Sequence, residues 1–261
     1  MKNEKRIITI DGPSGAGKTT ISKLLAKHLG YVYVDTGSLY RGVAYEVCRC
    51  SINWEDDDEL NVLLTSLAFE LKLDTGGTYH LFSSGQDITD YIRTPEITML
   101  SSDLSAKRAV RQALLGFQKD IAQKGDAVFE GRDMGTVVFP DANYKFFLSA
   151  DLKTRALRRY NEINQNQSSS KSYDEKQLPD EQQTFEQPNK PDQAQTIDST
   201  QDIDDYQTLD EIENAISLRD KNDSSRDIAP LKPANDAIMI DSTDLTLEEV
   251  VNKIISCISS K

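Results

Sequence analysis

The sequence predicts an α/β protein whose mostly parallel core sheet is flanked by helices. Three observations predict it. Short β-branched runs recur along the chain, segments of helical spacing separate them, and a glycine-rich turn stands between the first strand and the first helix. Strands that alternate with helices are joined by crossovers, which make the sheet parallel.

Each element follows in order. Residues 6–11 form a buried, β-branched strand ending at Gly12. Ile21, Leu24, Leu25, His28 and Leu29 keep helical spacing, so a helix begins near Gly17 and ends by Gly30. Residues 31–34 read as a second strand, and a second helix starts at Thr36. Residues 68–93 break the rhythm with three extended pieces around Phe69, Tyr79 and Asp87. The turns Thr75-Gly-Gly77 and Ser83-Ser-Gly85 divide them, which predicts a small antiparallel insert within 68–100. Thr94-Pro95 signals a helix start, with helical pattern to about Lys124. Residues 127–130 and 144–148 are strands, 156–160 lie in an arginine-rich helix, and 237–241 form a late strand. Thr246-Leu-Glu-Glu249 is a capping box that opens the last helix.

Composition bounds the function. The chain of 261 residues suits one domain with insertions, and its net charge of −13 argues against a general nucleic-acid binder. No apolar run approaches the roughly 20 residues of a membrane span. Residues 1–6 carry no apolar leader, which predicts a cytoplasmic protein without a membrane partner. Cys48, Cys50 and Cys257 lack the second pair of a zinc site and read as reduced thiols. Residues 163–207 hold ten acids against three lysines and few large apolar residues, so a disordered loop is expected there.

Gly12-Pro-Ser-Gly-Ala-Gly17-Lys18-Thr19 matches the phosphate-binding loop G-x-x-x-x-G-K-[ST]. The strand before it and the helix after it supply the required context. Gly12, Pro13, Ser14, Gly15, Ala16, Gly17, Lys18, Thr19 and Thr20 are the ATP-site candidates. Backbone N–H groups turn inward around phosphate oxygens, and the helix N-terminus adds partial positive charge. Lys18 would neutralise the β- and γ-phosphates, and the Thr19 hydroxyl would ligate Mg²⁺.

A guanine-nucleotide switch would need more. Asp74-Thr-Gly-Gly77 and Asn189-Lys-Pro-Asp192 match its signatures formally, but one lies in a hairpin turn and the other in the polar segment, and both read as chance. Arginines fit a kinase better. Arg41 and Arg132 follow strand-like segments, and ligands of parallel sheets gather at the carboxyl ends of strands. Guanidinium groups there suit the phosphate dianion of a nucleotide acceptor.

Five further stretches carry a family resemblance. They are Asp35-Thr-Gly-Ser-Leu-Tyr-Arg41, Ile92-Arg-Thr-Pro-Glu-Ile97, Gly131-Arg-Asp-Met-Gly-Thr-Val-Val-Phe-Pro140, Arg226-Asp-Ile-Ala-Pro-Leu231 and Asp241-Ser-Thr243. With the phosphate loop they resemble the bacterial cytidylate kinases over nearly the whole chain except 163–207. The resemblance implies a P-loop NTPase fold in one domain, 1–261, with a monophosphate-binding insert and a helical lid over about 155–230. It implies a monomeric enzyme of pyrimidine metabolism that moves the γ-phosphoryl of ATP, with Mg²⁺, onto CMP or dCMP. The near alternative is another monophosphate kinase, such as one acting on UMP.

By position, Thr36, Tyr40, Arg41, Arg93, Ser102, Arg111, Arg132, Asp133, Asp223 and Arg226 resemble the family's monophosphate site. Thr36 stands where the family more often has Ser. Arg155, Arg159 and Arg219 resemble lid groups that meet ATP or the moving phosphoryl, and join Lys18 and Arg132 as catalytic candidates. Asp133 would accept from the cytosine amine, Arg111 would donate to N3 or O2, and Ser102 would accept from the amine. Asp223 would accept from a sugar hydroxyl, alone or with Arg226. His28 and His80 read as structural, because an ionised phosphate acceptor needs no strong base.

Overall fold

The computed structural model describes residues 5–73, 79–170 and 208–259. In chain order, β1 (Ile7–Asp11) leads through the glycine-rich turn to α1 (Lys18–Leu29), β2 (Val32–Asp35) and α2 (Thr36–Arg49). α3 (Asp57–Ser66) precedes β3 (Phe69–Leu73), β4 (Tyr79–Ser83) and β5 (Gln86–Asp87). A short turn, Tyr91–Arg93, leads into α4 (Pro95–Leu104) and α5 (Arg108–Lys124). β6 (Ala127–Gly131), a wide helical turn Met134–Val138 and β7 (Tyr144–Ser149) return the chain to the sheet. α6 (Leu152–Ser170) and α7 (Leu209–Ser225) pack on each other, and β8 (Ile238–Asp241) and α8 (Leu247–Ser259) follow.

Among the described residues the core sheet has the order β2-β6-β1-β7-β8, with every pairing parallel. The register sets Asp11 beside Gly131 and Asp35 beside Glu130. Three carboxyl ends therefore meet at one edge, where β1 and β2 flank β6. β3-β4-β5 form a separate antiparallel sheet, as expected for the insert.

β1 and β6 are buried at every position, which is why they read as continuous apolar runs rather than alternating ones. Ile8, Ile10, Val128 and Phe146 pack against Ile21 and Leu25 of α1 and Val250 and Ile254 of α8. Ile7, Val34 and Phe129 pack with Ile121 of α5 on the other face. The period-two alternation of strand side chains sends neighbouring residues to opposite layers. A third core joins Leu39 and Val43 of α2, Leu60 of α3, Phe69 and Leu81 of the small sheet, and Leu104 and Leu114 of α4 and α5. Ala156, Ile163, Ile212 and Ile216 form the separate contact of α6 with α7.

Three expectations need correction. The helix expected from Thr94 to Lys124 is two helices. Thr94 caps the first, accepting from the Ile97 N–H at 3.3 Å, but the chain breaks at 105–107, where the Ser105 hydroxyl takes the Ser102 carbonyl at 2.6 Å. Leu104 and Val110 share one core across the break, so apolar spacing does not reveal it. α3 was not expected at all. Its acidic run is a cap: Asp56 accepts from the N–H groups of Asp58 and Glu59, and acids fill the first turn. The polar segment begins later than 163, because Ile163 packs on α7 and α6 continues to Ser170. The remainder of that segment, both formal guanine-nucleotide matches and the Thr75-Gly-Gly77 turn lie outside the described residues.

The capping box at Thr246 forms with both of its hydrogen bonds. The three cysteines are free thiols. No described helix is long and apolar enough to cross a membrane.

Candidate active site

The cradle lies between β1 and α1. Gly12 has φ 150°, and a Cβ there would sit 2.0 Å from the Leu148 carbonyl oxygen on β7, so no other residue fits. At Gly15, with φ 74°, an added Cβ would sit 3.0 Å from the Arg155 Cβ on α6. Lys18 opens α1, is buried, and donates from Nζ to the Pro13 carbonyl at 2.7 Å. Thr20, the last candidate of the loop, is exposed.

Thr19 donates from its hydroxyl to Glu130 Oε1 at 2.7 Å, and Tyr33 donates to Glu130 Oε2 at the same distance. Glu130, the penultimate residue of β6, is itself buried, with its carboxyl pushed up by burial and by Asp35. Burial and Glu130 push the Tyr33 phenol above its ordinary range. The Thr36 hydroxyl donates to the Glu130 carbonyl at 2.7 Å, which fastens the start of α2 to the end of β6.

On the other side of the crevice, Asp35 caps α2 through the Ser38 N–H and pairs with Arg41 at 2.8 Å. Arg41 Nε is buried without a hydrogen-bond partner. Arg132 directs Nε to Asp223 Oδ2 at 3.0 Å, and Arg226 holds the other oxygen of Asp223. Burial pushes the Asp223 carboxyl up, but Arg132, Arg226 and Arg219 outweigh it and hold it below the usual range.

Arg111, on the first turn of α5, pairs with Asp133 and donates from Nη1 to the Ser105 carbonyl at 3.1 Å. That carbonyl is free because α4 ends there, so the unexpected break builds the seat of Arg111. Asp133 is buried and its carboxyl is raised by burial against the pull of Arg111. The Arg111 guanidinium lies 5.7 Å from the ring centroid of Tyr40, whose phenol is pushed up to about 12 by burial. Ser102 is half-buried on α4, beside Asp103, which feels the charge of Arg226. Arg93 is exposed at the end of its turn and ion-paired to none of the described carboxylates.

Arg219 is half-buried on α7, and its buried Nε has no hydrogen-bond partner. Burial and then Arg132 lower it to about 10, with Arg41 and Arg226 adding to the effect. Burial and Arg132, followed by Arg219, likewise lower Lys18 to about 7. Arg155 spends its donors on Ala150 and Ser14 carbonyls at 3.0 Å and on Asp220 at 2.6 Å, which ties the cradle to α6 and α7. Arg159, one turn further on, pairs with Glu162.

Lys18, Arg41, Arg132, Arg219 and Arg226 are thus brought to one electrostatic neighbourhood. Asp11, Tyr33 and Glu130 were missed. A signal existed for two of them: a carboxylate that ends an otherwise apolar buried strand is too costly to place there without partners.

The fold and site define a P-loop protein with a cluster of arginines facing its phosphate loop. The family model for cytidylate kinase matches residues 8–205 and 194–260. A cytidylate kinase of Citrifermentans bemidjiense is 40% identical over 255 residues, covering 98% of this chain and 93% of that protein. One from Geobacter sulfurreducens is 39% identical over the same shares, and one from Ligilactobacillus salivarius is 38% identical over 99% of this chain and 98% of its own length. The chain belongs to the cytidylate kinase family, as the resemblance in its sequence implied.

Proposed function

We propose that the protein transfers the γ-phosphoryl group of ATP to CMP or dCMP, giving ADP and CDP or dCDP. The observation that carries this reading is the crowding of cations beside the carboxyl ends of β1, β2 and β6: Arg132 and Arg219 act on the buried Lys18, and Arg132 and Arg41 act on Arg219, so that Lys18 and Arg219 are both lowered. Such a group is built for more negative charge than a single phosphate supplies.

ATP binds in the cradle of residues 12–20, with Lys18 on its β- and γ-phosphates. Thr19 and Glu130 offer hard oxygen groups at the cradle's edge, and these suit Mg²⁺. The Thr19 proton points at Glu130, so a hydroxyl lone pair is left for the cation. The ion would neutralise charge on the phosphate oxygens. Among the described residues no set of three or more His, Cys, Asp or Glu side chains is grouped to hold a metal, so the nucleotide must supply much of the coordination.

The acceptor phosphate meets Arg41, Arg93 and Arg132, with Arg226 behind them. Thr36 has its proton on a main-chain carbonyl and acts by fixing α2. Asp133, Arg111 and Ser102 read the cytosine edge, and Tyr40 backs Arg111. Arg111 and Asp133 are paired with each other, so a donor-bearing and an acceptor-bearing side chain stand together, and cytosine N3 and amine would complement them. Asp223 meets the sugar from between Arg132 and Arg226. The α6–α7 pair acts as the lid: Arg219 stands over the γ-phosphoryl, Arg159 follows from α6, and Arg155 ties the lid to the cradle. The acceptor oxygen is already ionised, so rate comes from positioning, charge neutralisation and exclusion of water.

The test is a panel of nucleoside monophosphates with ATP, read as ADP formed. CMP and dCMP are expected to turn over, with UMP at least about tenfold less efficient, since uracil leaves buried polar groups unpaired. In Asp133→Ala the preference for CMP over UMP should collapse while ATP affinity changes little. Equal use of CMP and UMP by the unaltered protein would contradict the reading.

A further inference from the structure

Asp11 has no part in the expected site, yet its placement is unusual. It is the last residue of β1 and directly precedes Gly12, the first residue of the cradle. It is buried at 4% exposure. Its two carboxylate oxygens accept from two consecutive backbone N–H groups, Met134 at 2.9 Å and Gly135 at 2.8 Å. Those residues follow Arg132 and Asp133 immediately.

The ladder adds a second constraint. Asp11 is paired through its backbone with Gly131. The segment that leaves the sheet at Gly131 is therefore caught again at Met134 and Gly135 by the side chain of the same residue. Arg132 and Asp133 sit inside this closed loop, one reaching Asp223 and the other reaching Arg111. The two N–H groups open the wide turn Met134–Val138, and a helical start leaves such donors without partners. A carboxylate is the group that satisfies both at once and suits the positive end of the turn. Gly135 packs closely on β1 and β7: a Cβ there would meet Thr9 Oγ1 at 3.0 Å and the stem of Lys145 at 3.3 Å.

We propose that Asp11 is a positioning residue for acceptor recognition: it holds Arg132 and Asp133 in fixed relation to the phosphate cradle. It touches neither nucleotide and acts through Met134 and Gly135. The proposal rests on the reading of Asp133 as the carboxylate that faces the base.

Asp11→Asn tests it, with Asp133→Ala run alongside. Asparagine keeps the shape, but it has one acceptor oxygen and turns an NH₂ against the second N–H. The ratio of kcat/KM for CMP to that for UMP is the readout. This ratio does not depend on the fraction of protein that is folded, so partial misfolding cannot move it. We expect it to fall about tenfold in Asp11→Asn, as a small misplacement of reading groups requires, while the Kd for ATP stays within about twofold. If Asp133→Ala loses selectivity and Asp11→Asn keeps it, Asp11 does not position the loop and the reading of Asp133 stands. A loss of ATP affinity in Asp11→Asn as large as the loss of selectivity would also overturn the proposal, making Asp11 a support of the cradle. If Asp133→Ala itself stays selective, the base-reading assignment fails and the proposal goes with it.

Discussion

At the scale of single residues, the free site stores electrostatic repulsion. Lys18 is buried and faces Arg132 and Arg219, and its ammonium is held down to about 7. The sign of the consequence follows. Above that value most free molecules carry a neutral amine, and a bound polyphosphate favours the charged form and raises the pKa. ATP binding at pH 8 should therefore take up a proton. The uptake is measured by calorimetry in two buffers of different ionisation enthalpy. Lys18→Met should abolish it, and an unaltered protein that takes up no proton would show that Lys18 does not face the phosphates. Lys18 was legible in the sequence because a motif fixes it. Arg41 and Arg132 were legible because they follow strands, and Asp133 and Asp223 through resemblance. Tyr33, Glu130 and Asp11 were not picked out, since their meaning lies in the β1-β6-β2 order that brings separate strand ends together.

Among the elements, α6 and α7 stand apart. Their contact is the small cluster of Ala156, Ile163, Ile212 and Ile216, separate from the two layers that cover the sheet. Parts that must move are drawn from the less stable units of a fold. Truncation in so small a cluster should release the pair without melting the sheet. Ile216 is 1% exposed, and Ile216→Ala should cost about 2–5 kcal/mol locally. Hydrogen exchange should quicken in α6 and α7 and stay slow in β1 and β6. Equal loss of protection in the sheet would show that the pair is part of one cooperative core. The strands and most helices were legible from periodicity and caps. The break between α4 and α5 was not, because both helices face one core in the same phase. α3 was passed over because a run of acids resembles a solvated face until one of them is seen capping.

For the whole molecule, direct phosphoryl transfer requires both nucleotides in one crevice at once, phosphate tails meeting between the cradle and the arginines. The register that sets Asp11 beside Gly131 and Asp35 beside Glu130 is what brings the two halves within reach. The direct measurement is the affinity of adenosine and cytidine joined 5′ to 5′ by a pentaphosphate bridge. Linking the two ligands makes the second binding event intramolecular, so this compound should bind at least about 100-fold more tightly than ATP or CMP alone. Arg132→Ala should remove most of that gain. A bridged compound that binds no more tightly than ATP would contradict a shared crevice.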